Sequence, residues 1–267
     1  MALEHLTHDQ LAHIVTAGAL VFLGVLQITM PSCFWGLSIY FKGTRATFSP
    51  EQRERLARVL TAREGVEGHA DTYLRIVGFF TIVMGLVALV PGVPFVLPYS
   101  LSCVALAAAV LSSYLQFRRA TQRRVAPLVR RSVWTSLPPL AVAATLVCLV
   151  GVGLFAAYPQ FRAGVLIVIA ADAVLLFVVW RIAVAPAILF GNDSQLEYLV
   201  DEHIRFSRAM NLLALACAPP TVLVALAWAT LPASAYFANA VTAMVVAAFL
   251  VVMAASFSPI RKRIRLA

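Results

Sequence analysis

Apolar residues gather in seven runs separated by short polar stretches, and most runs have the length of a bilayer crossing. They cover about residues 13–41, 74–90, 97–116, 134–157, 163–185, 209–231 and 235–257. At ~1.5 Å of rise per residue, about 20 helical residues match the ~30 Å hydrocarbon core of a membrane. The first run is long for one span, and Pro31 stands where it would kink or end the regular part. A re-entrant first segment, leaving six full spans, is the competing count. Pro91-Gly92-Val93-Pro94 is predicted to turn the second run into the third, and Tyr158-Pro159-Gln160 the fourth into the fifth, giving two hairpins. Pro219 and Pro220 are expected to kink the sixth span near its middle.

Two polar stretches carry helical periodicity of their own. Ser49-Pro50-Glu51-Gln52 has the cap, first-turn proline and reciprocal glutamine of a helix start, and Leu56, Val59, Leu60 and Arg63 follow at helical spacing. Residues 192–208 set Leu196, Leu199, Val200 and Ile204 on one side of a helix and Glu197, Asp201 and Arg205 on another. The fold class expected is therefore all-α. It is a polytopic bundle of seven transmembrane helices in a single domain, 1–267, with two amphipathic cytoplasmic helices.

Composition agrees with lipid as the main solvent: 61% of residues are hydrophobic, only 12% are charged, and the mean hydropathy is +0.88. The net charge of +9 would suggest nucleic acid in a soluble chain, but here its distribution speaks for orientation instead. With the N-terminus outside and the C-terminus cytoplasmic, the inner segments hold 20 of the 21 Lys and Arg and 9 of the 12 acids, a net +11. The opposite orientation would invert every loop, so no nucleic-acid partner is inferred. The partners expected are the bilayer itself, anionic lipid headgroups against the basic inner face, and a membrane-protein partner. Arg118, Arg119, Arg123, Arg124, Arg130 and Arg131 are the candidate contacts for an anionic lipid or a partner. Such basic loops also serve simply to set topology, and that plainer role is the commoner one. Glu4 and Asp9 without an early Lys or Arg do not read as a cleavable signal peptide, so the first run is expected to stay as an anchor. The localisation expected is a plasma, or bacterial inner, membrane.

Chemistry-bearing residues are few. Seven spans with the N-terminus outside is also the topology of rhodopsins and G-protein-coupled receptors. The only lysines, Lys42 and Lys262, lie at inner ends, where neither can form a retinal Schiff base within a span. No metalloprotease motif and no second intramembrane aspartate appears, and no catalytic residue is assigned. Haem would need opposed histidines, yet only His13 approaches a span, so no cofactor is expected. His5, His8 and His13 are spaced one step off an ideal metal set, and no metal site is assigned to them. Asp201-Glu202-His203 is read as a solvated helix face. The cysteines Cys33, Cys103, Cys148 and Cys217 occupy four different apolar runs and are read as buried membrane thiols.

Asp172 stands apart. It is the tenth of the eighteen residues between Arg162 and Arg181, about 27 Å of helix, and so falls near the midplane. A charge there costs about 2.5–3.5 kcal/mol on insertion scales. The thirteen Val, Leu, Ile and Phe of residues 163–185 offset this by ~0.3–0.6 kcal/mol each, so the helix inserts regardless. Depth makes Gln27 the best partner for Asp172, and the two form the candidate midplane binding pair. As a neutral acid hydrogen-bonded to a neighbouring helix, Asp172 would be structural glue; as a protonatable relay or cation ligand, it would be functional. The favoured reading is a non-catalytic accessory, assembly or sensing component acting through its basic cytoplasmic face. The alternatives are a small-solute or proton-coupled transporter built on Asp172, and a membrane enzyme acting on lipid.

Overall fold

The structure is a computed structural model, and it describes residues 8–30, 50–51, 54–55, 57–58, 69–94, 96–120, 136–185, 194–230 and 236–257. These residues are all-helical, with no strand among them. The long helices are α1 (His8–Thr29), α2 (His69–Val87), α3 (Val96–Ala120), α4 (Pro139–Leu154), α5 (Arg162–Val184), α6 (Ser194–Thr230) and α7 (Tyr236–Phe257). Five stretches are long and apolar enough to cross a membrane: Val96–Leu115, Pro139–Ala157, Pro159–Val184, Val200–Trp228 and Tyr236–Ala255. The described part of the first run, His13–Thr29, is a shorter apolar helix, and α2 carries Asp71 and Arg75 near its start. Their outward faces are apolar. Phe22, Ile76, Phe79, Leu140, Leu146, Leu166 and Phe177 are all exposed, a surface that lipid rather than water would cover. The protein is an integral membrane protein.

Pro31 and the end of the first run lie outside the described residues, as do Leu56, Val59, Leu60 and Arg63 of the first amphipathic stretch. Its described positions are helical and exposed, with Arg55 paired to Glu51 at 2.6 Å. The hairpin between α2 and α3 forms as expected. Gly92 supplies its tight turn at φ +86°, a left-handed conformation that costs glycine little. The second expected hairpin is different. Two 3₁₀ turns, Phe155–Ala157 and Pro159–Phe161, join α4 to α5, but the two helices touch little beyond this turn. Instead α5 packs between α3 and α6, while α4 packs against α6 and α7. Helix α6 is thus central, with α3, α4, α5 and α7 around it.

Helix α6 bears on two expectations. Residues 194–208 run on into the sixth span as one helix of 37 residues, ~55 Å long, from Ser194 to Thr230, but their charged side is buried rather than solvated. It passes through Pro219 and Pro220 without interruption, and both prolines are buried. Their missing N–H groups leave the Leu215 and Ala216 carbonyls without the usual i→i−4 donors. One residue on, the Thr221 hydroxyl donates to the Cys217 carbonyl at 2.7 Å, reinforcing the ladder where it resumes.

The interior is lined by small residues, which is how membrane helices approach closely without a hydrophobic drive. The tightest contact joins antiparallel α1 and α2. A Cβ on Gly24 would lie 2.6 Å from the Gly78 carbonyl oxygen, and one on Gly78 would lie 2.8 Å from the Gly24 oxygen. Backbone meets backbone here, so neither position can accept a methyl without displacing a helix. Gly18 has open space around it. We therefore expect Gly78→Ala to cost about 1–3 kcal/mol through overpacking. Gly18→Ala should gain roughly 0.5–1 kcal/mol from helix propensity. Unfolding of micellar protein in a denaturing-detergent titration measures both, and equal effects would refute the close crossing.

Candidate functional site

Polar side chains inside the bundle collect at two levels. The first level is formed where α3, α4, α5 and α6 face one another. Asp172 on α5 is completely buried, and neither of its carboxyl oxygens has a hydrogen-bond partner among the described residues. Cys103 from α3, Cys148 from α4 and Cys217 from α6 are buried free thiols within electrostatic range of this carboxyl. The Cys217 thiol donates to the Thr145 hydroxyl at 3.6 Å, and Thr145 itself donates to the Ala141 carbonyl at 2.9 Å. Cys148 stands one turn after Thr145, and its thiol, within electrostatic range of Cys217, donates to the Val245 carbonyl of α7 at 3.6 Å. Thr145, Cys148 and Cys217 therefore have their donors committed elsewhere and give none to Asp172.

Gln27 is not its partner. The Gln27 side chain is buried in the α1–α2 crossing, where its carbonyl oxygen accepts a 3.1 Å bond from Thr81 on α2. Close packing of α1 on α2 through Gly24 and Gly78 puts Gln27 there, with its Cβ in reach of Gly78. Depth along the chain matched Gln27 to Asp172; neighbourhood did not. Pro219 and Pro220, by contrast, lie in the turn that follows Cys217, next to the Asp172 cluster. Of the six arginines of the basic linker, Arg118 and Arg119 fall in the last turn of α3, and Arg123, Arg124, Arg130 and Arg131 lie outside the described residues.

The second level sits at the opposite end of α6 from Trp228 and overturns the solvated reading of Asp201. Glu197, Asp201, Arg205 and Arg208 are 4%, 1%, 5% and 1% exposed, so this face is interior. The cause is the central place of α6, whose neighbours cover both its apolar and its charged side. Arg205 forks, one Nη donating to the Asp201 carboxylate and the other to the carbonyl of Ala185 just past the end of α5. That carbonyl belongs to a helix terminus that lacks an intrahelical donor, and a cation there also opposes the negative end of the helix dipole. Ser136, before α4, donates to the neighbouring Ala183 carbonyl at 3.1 Å, so the end of α5 is tied from two sides.

Several of these residues were missed on reading the chain. Thr145, Cys148, Cys217 and Cys103 gave a depth signal, each lying well inside its run, but apolar segments of unknown neighbours do not say which faces meet. Among the described residues, no group of three or more His, Cys, Asp or Glu is placed to hold a metal ion. No protein-family model, curated protein or solved structure matches this chain, so its chemistry is read from its own residues.

The ionic level makes a sharp stability prediction. Asp201→Leu strands a buried guanidinium and should cost about 3–5 kcal/mol. Asp201→Leu with Arg205→Met together should recover most of that loss. Breaking the exposed Glu51–Arg55 pair should cost only about 0.3–0.5 kcal/mol. Denaturant unfolding in micelles tests all three, and a double variant as unstable as Asp201→Leu would contradict the pairing.

Proposed function

We propose that this is a seven-span membrane protein of a plasma or bacterial inner membrane, N-terminus outside and C-terminus cytoplasmic. In this reading its working part is the midplane level, and it acts as a proton- or cation-coupled transporter of a small solute. The single observation behind it is Asp172: a fully buried carboxyl with neither oxygen partnered among the described residues, beside a helix whose ladder lacks two donors.

A glue residue makes a hydrogen bond between helices, and Asp172 makes none among the described residues. With zero exposure there is no room for a water against it either. Such packing suits a neutral acid, because an ionised carboxylate would lack all the donors it needs. Energetically the neutral group is still a liability of about 1–3 kcal/mol. A midplane acid that costs stability and ties nothing together is what proton relays and ion sites use. Discontinuous helix ladders beside such groups serve the same end in transporters.

The basic inner segments support a second reading, an accessory component that meets anionic headgroups or a membrane partner through Arg118, Arg119, Arg123, Arg124, Arg130 and Arg131. Its support is the gathering of 20 of 21 Lys and Arg on one side under the proposed topology.

Asp172→Asn and Asp172→Leu separate relay from glue. With no hydrogen bond to lose, Leu should be as stable as wild type or more stable by up to about 1–3 kcal/mol. Both variants should abolish cation or proton flux in proteoliposomes under an imposed potential, read with a trapped pH dye and with Na⁺ and K⁺ tracers. Flux that survives in Asp172→Asn, or a Leu variant clearly less stable than Asn, would return Asp172 to a structural role.

A further inference from the structure

Cysteine in a membrane span ordinarily acts as a small hydrophobe, and one such residue says nothing. Here three buried thiols arrive on three different helices at one level, beside the only fully buried carboxyl that lacks any hydrogen bond among the described residues. Two of them, Cys148 on α4 and Cys217 on α6, interact electrostatically across the contact between these two helices. Thr145, one turn before Cys148, holds the Cys217 sulfur at 3.6 Å on the same face. We infer that Cys148 and Cys217 form a two-coordinate site for a soft monovalent cation of the Cu(I) or Ag(I) kind. This deepens the transport reading by naming the cation.

Donor chemistry selects the class. A hard cation such as Na⁺ or Mg²⁺ wants a shell of oxygens, whereas thiolates select Cu(I) and its congeners. Tetrahedral zinc and iron–sulfur clusters need three or four protein ligands at one point. Among the described residues no such group of His, Cys, Asp or Glu is placed to hold an ion. A filled d shell without geometric demands is satisfied by two sulfurs from facing helices.

Loading exchanges protons for metal: M⁺ and two R–SH give [M(SR)₂]⁻ and two H⁺. Two S–H bonds break, two S–metal bonds form, and no electrons are transferred. Both protons pass to water, since the Asp172 carboxyl is already neutral, and the uptake of the metal is what releases them. That uptake links cation entry to proton movement. Cys217 lies two residues before Pro219, and the two helix bonds missing there let this turn of α6 yield more readily than an unbroken ladder.

The test uses full-length protein in lipid nanodiscs carrying Cys33→Ser, so that the fourth thiol cannot contribute. After incubation with Ag(I), and separately with Cu(I) under ascorbate, then desalting, one metal equivalent per chain should remain. Cys148→Ser with Cys217→Ser should retain none, while Cys103→Ser and Asp172→Asn should each keep the equivalent. Should the double variant misfold, stoichiometric Ag(I) must still protect Cys148 and Cys217 of the folded protein from alkylation, as read by peptide mass spectrometry. No retained metal, retention in a folded double variant, unprotected thiols, or a Cys148–Cys217 disulfide in place of metal would overturn the inference. Because binding is measured without flux, a failure here leaves the Asp172 reading standing, and loss of flux specificity at Asp172 leaves this one.

Discussion

Inside a bilayer every polar group must be satisfied by the protein itself, and this one demand organises the structure. Side chains on the spans mostly meet it within their own helix. Thr81 donates to Val77, Ser102 to Pro98, Thr145 to Ala141 and Thr221 to Cys217, each back to the carbonyl four residues earlier. Where two helices end close together, longer side chains do the same work across the gap. His13 on α1 binds the Ala88 carbonyl at 2.6 Å at the end of α2, and Arg205 binds that of Ala185 at the end of α5. Against this background Asp172 stands out as a buried acid with neither oxygen bonded among the described residues, where Gln27 Nε2, Ser100 Oγ and the Tyr114 hydroxyl also lack a partner.

Close approach of helices is what makes such self-sufficiency possible. Gly24 against Gly78 brings α1 and α2 backbone to backbone, and the same crossing seats Gln27 against Thr81. Around α6 the interior is alanine, cysteine and valine, with Ala141, Ala144, Ala216, Ala227 and Ala238 all buried. Small side chains leave little slack, so polar atoms meet the nearest carbonyl or nothing. The buried charges at the N-terminal end of α6 follow the same rule: Asp201 and Arg205 share their desolvation cost only because they are in contact.

Much of the fold was legible in the chain. Apolar runs of span length mark the helices, and Pro91 to Pro94 mark a turn that Gly92 completes. The Asp201–Arg205 spacing announces an ion pair. What the chain could not convey is which faces meet. Residues 194–208 have the two-sided pattern of a surface helix, yet α6 carries its charges inward because four helices surround it. Tyr158-Pro159-Gln160 reads as a hairpin, and the turn is there, but α5 leaves its sequence neighbour for α3 and α6. Gln27 and Asp172 agree in depth and are claimed by different helix pairs. Periodicity and depth are properties of one helix at a time, whereas a site in a bundle is a property of several.

The central claim is that Asp172 is a neutral carboxyl held without a hydrogen bond in the middle of the bundle. Difference infrared spectroscopy at neutral pH, wild type minus Asp172→Asn, reads both properties from one carbonyl stretch. The account predicts a carboxylic-acid band at the high-frequency end of its range, as befits an acid with no hydrogen-bond partner, and its loss in the variant. A carboxylate band in its place, or an acid band lowered by hydrogen bonding, would contradict it.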